Sequence, residues 1–432
     1  MSKLLVFCLD ALCSLDLAYM QSLPNLGGVM AKGSYVRHAE PIYPSLTYPC
    51  HVSLITGNYV ARHGVPHNEM LKAGAPGQPW YNQRSSIQCS TLLDEARRQG
   101  LSTCSISWPV TGGADFDLNM PMIVPMGYTG SEPIIFLEHN ATQELLDRYY
   151  DRHAHHLIGP ERSLDKYTMA LALGILRDYP QPDVMLVKMC DLDTVRHVSG
   201  VDNDYVKEQL RVHDAQLGLL LSEIRAHGDL ENTNIVILGD HGQADISHAL
   251  NLNVLLKQQG FLKVDSQDNV VDYDAYCHSA SLSAWIQLKD PDNLAVRQAV
   301  HAYLLSLTGD EALGIGHVIS KELAAADFHL TGPFDFIVEG KRPIAFGTAW
   351  AGDSVFGKAE YAGFTTLKAS HGALPYKDET TTLVAGGPNV RPGVVVERSS
   401  IVDNAPTLAH MLGFDLPDVD GQPLVDMIKP RR

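Results

Sequence analysis

The sequence predicts an α/β fold in which a doubly wound sheet is flanked by helices. Short apolar runs of β type, such as LLVFCL at residues 4–9 and NIVILG at residues 234–239, alternate along the chain with amphipathic segments. Two of these runs end in residue types that can bind ligands, namely Asp10 and the pair Asp240-His241. In open α/β sheets the carboxyl ends of the strands form the edge where ligands bind. The same pattern therefore predicts the fold class and the position of a site.

Each element rests on its own local pattern, taken in chain order. A strand at residues 3–9 is followed by a helix at 22–32, which carries apolar residues on one side. The helix at 90–99 ends at Gly100, a typical stop, and a strand at 101–108 returns to the sheet. The second half repeats this alternation, with helices at 164–178 and 205–226 and strands at 183–189 and 233–240.

Seven residues, spread over most of the chain, form the candidate site. They supply three carboxylates, three imidazoles and one hydroxyl: Asp10, Thr47, Asp193, His197, Asp240, His241 and His371. Taken singly, a strand-terminal Asp can be a helix cap, and Asp193 with His197 can be a local pair at helical spacing. Taken together, they match the ligand set expected of two adjacent divalent metal ions with a nucleophile between them. This combination indicates hydrolysis of phosphoryl groups.

A change of character after Leu255 predicts an inserted subdomain. Residues 256–362 contain predicted strands and a helix at 292–305, but none of the seven candidate residues. His371 lies beyond this segment and must return to the ligands near Asp10. We therefore expect a discontinuous metal-hydrolase core, residues 1–255 and 363–432, with a cap subdomain at 256–362.

The order and surroundings of the seven residues resemble the alkaline phosphatase superfamily, and within it the type I phosphodiesterase/nucleotide pyrophosphatase branch. The resemblance extends from Asp10 to the segment DNAPTLAHMLGFDLPDVDGQPL, and all seven positions are filled in the family's order. It implies an alkaline-phosphatase-like sheet and two metal sites. One would be formed by Asp193, His197 and His371, and the other by Asp10, Asp240, His241 and the Thr47 oxygen. The mixed ligands favour zinc, and manganese is also compatible.

Thr47 is the expected nucleophile. It opens the run Thr47-Tyr48-Pro49-Cys50-His51, where proline indicates the start of a helix. A helix N-terminus favours an alkoxide and an anionic phosphate. Sulfatases of the superfamily carry Cys or Ser at this position and Arg where this chain has His51. The aldehyde-forming modification is chemically unavailable to threonine, so sulfatase activity by that route is not expected.

Three substrate-binding residues are expected, two of them implied by the resemblance and the third, Lys188, a departure from it. Asn68, in the run GVPHNEM, would donate its side-chain amide to a phosphoryl oxygen. Tyr48 matches the first of two aromatic residues that clamp the base in nucleotide pyrophosphatases. The second aromatic position is Lys188, a departure that opposes a nucleotide preference and offers a cation to a phosphomonoester.

These residues predict a two-metal phosphoric ester hydrolase that prefers diesters and forms a phosphothreonine intermediate. A phosphomonoesterase and a phosphonate hydrolase of the phosphonoacetate type are the alternatives within the same architecture. Metal-dependent sugar-phosphate mutases share it too, but they typically use Ser as nucleophile. A non-catalytic metal-binding protein is a different class of answer, and the intact Thr47 argues against it.

Composition restricts the partners and the compartment. The 33 basic and 50 acidic residues give a formal charge of −17, which opposes a nucleic acid polymer or an anionic membrane as partner. No segment approaches the roughly 20 apolar residues of a membrane span. The seven cysteines lack zinc-type pairing and suit a reducing compartment, and the N-terminal apolar run is too short for a signal peptide. We therefore expect a cytoplasmic enzyme whose substrate is a small-molecule phosphate ester.

Overall fold

The computed structural model describes residues 2–75, 79–123, 133–158, 162–360 and 366–431. The strands of its two large sheets, in chain order, are β1 (Lys3–Leu9), β2 (Ser34–Glu40), β3 (Thr103–Ile106), β4 (Leu118–Met120), β5 (Val184–Met189), β6 (Thr233–Leu238), β7 (Ala275–Ala280), β8 (Ser283–Leu288), β9 (Ile315–Ser320), β10 (Phe336–Gly340), β11 (Thr381–Gly386) and β12 (Val395–Ser400). The helices of seven or more residues are α1 (Leu26–Lys32), α2 (Thr47–Thr56), α3 (Leu92–Arg98), α4 (Leu164–Asp178), α5 (Asp191–Ser199), α6 (Asp204–His227), α7 (Leu252–Gln258), α8 (Leu294–Leu307), α9 (Lys321–Phe328) and α10 (Asn404–Leu412).

The central sheet has eight strands in the order β12-β2-β11-β6-β1-β5-β3-β4. β1 pairs in parallel with β5 and with β6, and β3 pairs in parallel with β5 and β4. β11 is antiparallel to both of its neighbours, so the sheet is mixed. The predicted α/β class with a helix-flanked sheet is confirmed. The order of the strands places the ends of β5, β1 and β6 side by side.

Helices cover both faces of this sheet. In β1 the even-numbered residues from Leu4 to Cys8 pack into one hydrophobic cluster with α2, α3 and α10. The odd-numbered residues from Leu5 to Leu9 pack into a second cluster with α1, α4 and α6. Burial of both faces explains why this strand is an uninterrupted apolar run in the sequence. None of the helices in the described ranges has the length and apolar composition that crossing a bilayer requires.

One helix prediction holds at both ends, and another fails at its start. α4 has the predicted bounds, and the Ser163 hydroxyl caps it by accepting the N–H of Lys166. The prediction of a helix from residue 22 is wrong at its start, because α1 begins only at Leu26. Asp214 of α6 accepts the N–H groups of Asn25 and Leu26 at 2.9 and 2.7 Å, which fixes the start of α1 there. The residue that caps α1 therefore lies in a helix far along the chain.

The second large sheet is antiparallel, with the order β7-β8-β10-β9. Its strands share a hydrophobic cluster with α7 and α8. All four strands lie inside the range predicted for the cap, residues 256–362. The division into a core of residues 1–255 and 363–432 and a cap stays a prediction, and its boundary at 362–363 lies outside the described residues.

Candidate active site

Three neighbouring parallel strands bring most of the predicted ligands to one edge of the central sheet. Asp10 directly follows β1, α5 begins at Asp191 just after β5, and Asp240 lies two residues beyond β6. Because β1 lies between β5 and β6, the carboxyl ends of the three strands meet at this edge. The ligand candidates therefore converge although they are far apart in the sequence.

His371 reaches the same edge from the C-terminal part of the chain. The short strand Ala369–Ser370 pairs antiparallel with Ala244–Asp245, which lies just beyond His241. The rings of His241 and His371 stack with their centroids 3.8 Å apart. This pairing returns the chain to the site after the second sheet has been formed.

Asp10, Asp240 and His241 form the first group that can hold a metal ion, since one ligand atom from each lies within 4.8 Å of the others. His241 Nε2 lies 3.4 Å from Asp10 Oδ1 and 3.2 Å from Asp240 Oδ2. Both carboxylate oxygens are buried and make no hydrogen bond within the described part of the chain. Buried polar atoms normally have a partner, and a divalent cation would provide one for both oxygens. The residues present therefore fit a metal ion.

Asp193, His241 and His371 form a second such group by the same criterion. His371 Nε2 lies 3.8 Å from Asp193 Oδ1. His197, one helical turn after Asp193 on α5, has its Nε2 3.3 Å from Asp193 Oδ2. The structure thus brings the predicted ligands of this site together and places His241 within reach of both groups.

The three candidate histidine ligands are each oriented by a main-chain carbonyl. Their Nδ1–H groups donate over 2.7 to 3.0 Å, from His197 to Ala369, from His371 to Ser45 and from His241 to Gly242. A carbonyl oxygen only accepts, so the proton of a neutral ring lies on Nδ1 and Nε2 carries the lone pair that binds a metal. Burial, with the nearby His241, lowers the pKa of His371 to about 3 and keeps this ring neutral.

The carboxylates are crowded into a buried space. Burial raises the pKa of Asp10 well above its usual value, and the charge of Asp240 adds to that effect, while Lys188 opposes it. Burial also acts on Asp193, but the charge and the hydrogen bond of His197 outweigh it and hold the pKa of this carboxyl below its usual range. Like charges at such a site repel one another. A divalent cation would remove this repulsion, and zinc and manganese both accept carboxylate and imidazole ligands.

Thr47 is the first residue of α2, so its hydroxyl lies at a helix N-terminus. Its Oγ1 is 3.2 Å from His241 Nε2. The helix dipole stabilises negative charge at this position, on the threonine oxygen or on a phosphate. His51, one turn further, donates Nδ1–H to the Thr47 carbonyl at 2.8 Å and lies 3.2 Å from Asp240 Oδ2. Sequence reasoning singled out His51 only as the residue at the sulfatase Arg position.

Asn68 and Tyr48 contact each other directly beside the nucleophile position. Asn68 Oδ1 accepts the N–H of Tyr48 at 2.9 Å. The Tyr48 ring is buried, its hydroxyl donates to Asn82 Oδ1 at 3.0 Å, and its edge contacts Trp80 with centroids 5.0 Å apart. Trp80 is a neighbour that the sequence analysis did not single out. The substrate-binding roles of Asn68 and Tyr48 stay predictions.

Two buried side chains contact the ligand carboxylates. Lys188 is fully buried, and its Nζ lies 2.7 Å from Asp10 Oδ2. Gln243, which the sequence analysis missed, donates its Nε2 to Asp193 Oδ1 at 2.5 Å. Its only sequence signal is that it directly follows the run Asp240-His241-Gly242. The substrate contact predicted for Lys188 stays a prediction, and the structure places its ammonium group on a candidate metal ligand.

Comparison with known families identifies the chain. The family model of the type I phosphodiesterase / nucleotide pyrophosphatase family matches residues 4–364. The chain belongs to this family. Its membership confirms the resemblance that the order of the seven candidate residues indicated.

Among individual relatives, the rat ectonucleotide pyrophosphatase/phosphodiesterase family member 7 is 25% identical over 259 residues, 58% of this chain and 52% of that protein. Venom phosphodiesterase 2 of Crotalus adamanteus is 23% identical over 258 residues, 57% of this chain and 27% of that protein. The chain therefore spans about half of the first relative and about a quarter of the second.

Solved structures of similar proteins show the same fold. Murine ectonucleotide pyrophosphatase / phosphodiesterase 5, as an inactive variant in complex with AMP, superposes with a TM-score of 0.66 at 17% identity, covering 99% of this chain and 100% of that one. The human protein of the same name gives a TM-score of 0.66 at 18% identity, with the same coverage. The whole described architecture therefore has counterparts in this family.

Proposed function

We propose that this protein hydrolyses small-molecule phosphodiesters with Thr47 as its nucleophile. The observation that carries the proposal is the position of Thr47 Oγ1 at the N-terminus of α2, 3.2 Å from His241 Nε2. His241 belongs to both groups of candidate metal ligands, so the hydroxyl lies where two ions would meet. The phosphodiesterase family to which the chain belongs supports the same activity.

Two divalent ions, zinc or alternatively manganese, are part of this proposal. The ligands we assign are Asp10, Thr47, Asp240 and His241 for one ion and Asp193, His197 and His371 for the other. When bound, the ions would lower the pKa of the threonine hydroxyl and of a water molecule and would neutralise charge on the leaving oxygen.

The chain's own chemistry has two steps. In the first, Thr47 Oγ1 gives up its proton and bonds to phosphorus, the bond between phosphorus and the leaving oxygen breaks, and the alcohol departs with a proton. In the second, water attacks the phosphothreonine, the bond between Thr47 and phosphorus breaks, and the hydroxyl regains its proton as a phosphomonoester leaves. The N-terminus of α2 faces negative charge in both steps and stabilises it.

Diesters are favoured by the groups around the nucleophile. The Tyr48 N–H donates to Asn68 Oδ1 and so fixes the Asn68 side chain. We propose that the Asn68 amide nitrogen donates to a non-bridging phosphoryl oxygen. This neutral donor suits a singly charged diester better than a doubly charged monoester. From the sequence, Lys188 is the cation that would favour a monoester. In the structure its ammonium group contacts Asp10. The murine structure holds AMP, and we propose that a nucleotide substituent would pack here against the half-buried Trp80, which contacts the buried Tyr48 ring.

A cytoplasmic location completes the proposal. All seven cysteines are free thiols, and five of them are buried. Free thiols in this number suit a reducing compartment. Fractionation of the source cells should recover the protein with cytoplasmic markers, and recovery in a secreted fraction would contradict this part of the proposal.

The test of the activity is a ratio of two rates. Purified, metal-loaded protein is assayed with bis-p-nitrophenyl phosphate and with p-nitrophenyl phosphate, and each kcat/KM is corrected for the uncatalysed rate. We expect the corrected ratio to favour the diester. A ratio strongly favouring the monoester would overturn the diester preference, and turnover of neither compound nor of a dinucleotide would overturn the hydrolase proposal.

A further inference from the structure

Each of the three candidate ligand carboxylates has one oxygen engaged by a donor of the chain. Asp10 Oδ2 lies 2.7 Å from Lys188 Nζ, and Asp193 Oδ1 accepts the Gln243 amide at 2.5 Å. Asp240 Oδ1 accepts the N–H of Ala11 at 3.0 Å. The opposite oxygens of Asp10 and Asp240 make no hydrogen bond within the described ranges. At Asp10 and Asp240 the pattern separates one oxygen for the protein from one for a metal ion, and at Asp193 the opposite oxygen, Oδ2, lies 3.3 Å from the candidate ligand His197 Nε2.

Lys188 is placed for this task by the sheet. It lies on β5 opposite Cys8 of β1, so its side chain reaches the residue that follows β1. The ammonium group is completely buried, and within the described part of the chain it also contacts Cys190 Sγ at 2.9 Å and Met122 Sδ at 3.5 Å. Burying an ammonium group is costly unless an opposite charge compensates it. Asp10 supplies that charge and is fixed in return.

Gln243 is placed by the loop that follows His241. Its Nε2 donates to both Oδ1 and the main-chain oxygen of Asp193, at 2.5 and 3.2 Å. The amide has one sensible orientation, because reversal would bring two oxygen atoms within 2.5 Å. That orientation leaves Gln243 Oε1 buried without a hydrogen bond among the described residues. The Gln243 side chain therefore leaves a buried acceptor unsatisfied, which is unfavourable, while its amide nitrogen binds Asp193.

We propose that Lys188 and Gln243 are positioning residues that make Asp10 and Asp193 bind a divalent ion through one oxygen each. This inference rests on the metal ions of the proposed function. A second oxygen from either carboxylate would occupy a coordination position that a phosphoryl oxygen or water needs during hydrolysis. In this proposal Lys188 acts on the substrate through Asp10 and not by direct contact.

The test uses isosteric apolar replacements with matched controls. Lys188→Met and Gln243→Met remove the two donors at nearly constant volume. Lys289→Met and Gln143→Met remove an exposed lysine and an exposed glutamine that also contact aspartates. Each protein is stripped of metal and titrated with Co²⁺, and the visible absorption of bound cobalt and its dissociation constant are measured. Circular dichroism and thermal unfolding establish that each variant is folded.

We expect both test variants to bind Co²⁺ about 10- to 100-fold more weakly. We also expect their absorption bands to lose intensity, because a carboxylate that binds through two oxygens raises the coordination number of cobalt. The controls should match the parent in both measurements. Parental spectra and affinities in folded test variants would overturn the proposal, as would a Lys188→Met variant in which KM rises while the cobalt spectrum stays unchanged.

Two further results distinguish failure of the positioning roles from failure of the proposed function on which they rest. Gln243→Met introduces no change of charge, so it tests the proposal independently if Lys188→Met fails to fold. A parent that binds no divalent ion overturns the two-metal proposal itself. A parent that binds two ions and whose variants bind them identically overturns only the positioning roles.

Discussion

Replacing Thr47 with alanine should abolish turnover while leaving the fold nearly unchanged. Among the residues that the structure describes, the hydroxyl's hydrogen bond is the one to His241 Nε2 at 3.2 Å, and a hydrogen bond of this kind contributes about 1 kcal/mol. Alanine is favoured over threonine in a helix by up to about 0.7 kcal/mol, which offsets part of the loss. We therefore expect the free energy of unfolding to fall by about 1 kcal/mol or less.

The expected effect on the reaction is far larger. Loss of the nucleophile in a hydrolase with a covalent intermediate lowers kcat by about 10⁶, or roughly 8 kcal/mol at 1.4 kcal/mol for each factor of ten. Thr47→Ser is the matched control, because it keeps the hydroxyl and removes one methyl group. A methyl group contributes about 0.8 kcal/mol, so this variant should lose only about fourfold.

The assay combines initial rates on bis-p-nitrophenyl phosphate with metal content and thermal unfolding of each variant. A phosphothreonine trapped by rapid acid quench in the parent, and missing in the alanine variant, would support the covalent route. If Thr47→Ala kept its metals and turned over within tenfold of the parent, water would attack phosphorus directly and the two-step mechanism would be wrong.

Three further predictions concern metal dependence and stability. Chelation should abolish turnover and added zinc or manganese should restore it, whereas full activity in protein shown by elemental analysis to be metal-free would contradict the site. Burial raises the pKa of Asp378 to about 7, above the roughly 3.9 of an unfolded chain, so the stability this group contributes is present near pH 4 and is lost as pH rises through 7. The free energy of unfolding of Asp378→Asn should therefore rise relative to that of the parent between pH 5 and pH 8. An equal difference between variant and parent at both pH values would refute this assignment. Arg196→Met leaves buried Asp16 without its partner at 2.6 Å and should cost about 3–5 kcal/mol in urea unfolding, against about 1 kcal/mol or less for Arg177→Met at an exposed pair. Equal losses in the two variants would show that the buried ion pair contributes no more to stability than the exposed one.

The sequence predicts the sheet edge well because its signals are local. β1 and β6 are buried on both faces and therefore form apolar runs, and Asp10 and Asp240 stand out as the first charged residues after them. The spacing of Asp193 and His197 places both on one face of α5. These patterns survive without any knowledge of distant contacts. They are enough to recognise the family and the residues that converge.

The remaining features depend on contacts between distant segments. α1 starts late because Asp214 from α6 caps it, and no pattern near residue 26 encodes that partner. Lys188 is predicted to contact substrate because it departs from an aromatic position. Its contact with Asp10 depends on the register between β1 and β5, which the sequence of neither strand specifies. The contact of Gln243 could not be predicted for the same reason, because it joins this residue to Asp193, which is distant in the sequence.

The wide separation of the candidate ligands in the chain has a thermodynamic consequence. Asp10 ends the first strand, whereas His371 comes after the entire second sheet. An unfolded chain holds these groups far apart, so ions bound by them would bind the native state alone. Such binding raises the free energy of unfolding by about 2.7 kcal/mol when the free ion is 100 times its dissociation constant. The supply of metal would then govern the lifetime of the folded chain as well as its rate of turnover, and metal starvation would expose it to proteolysis.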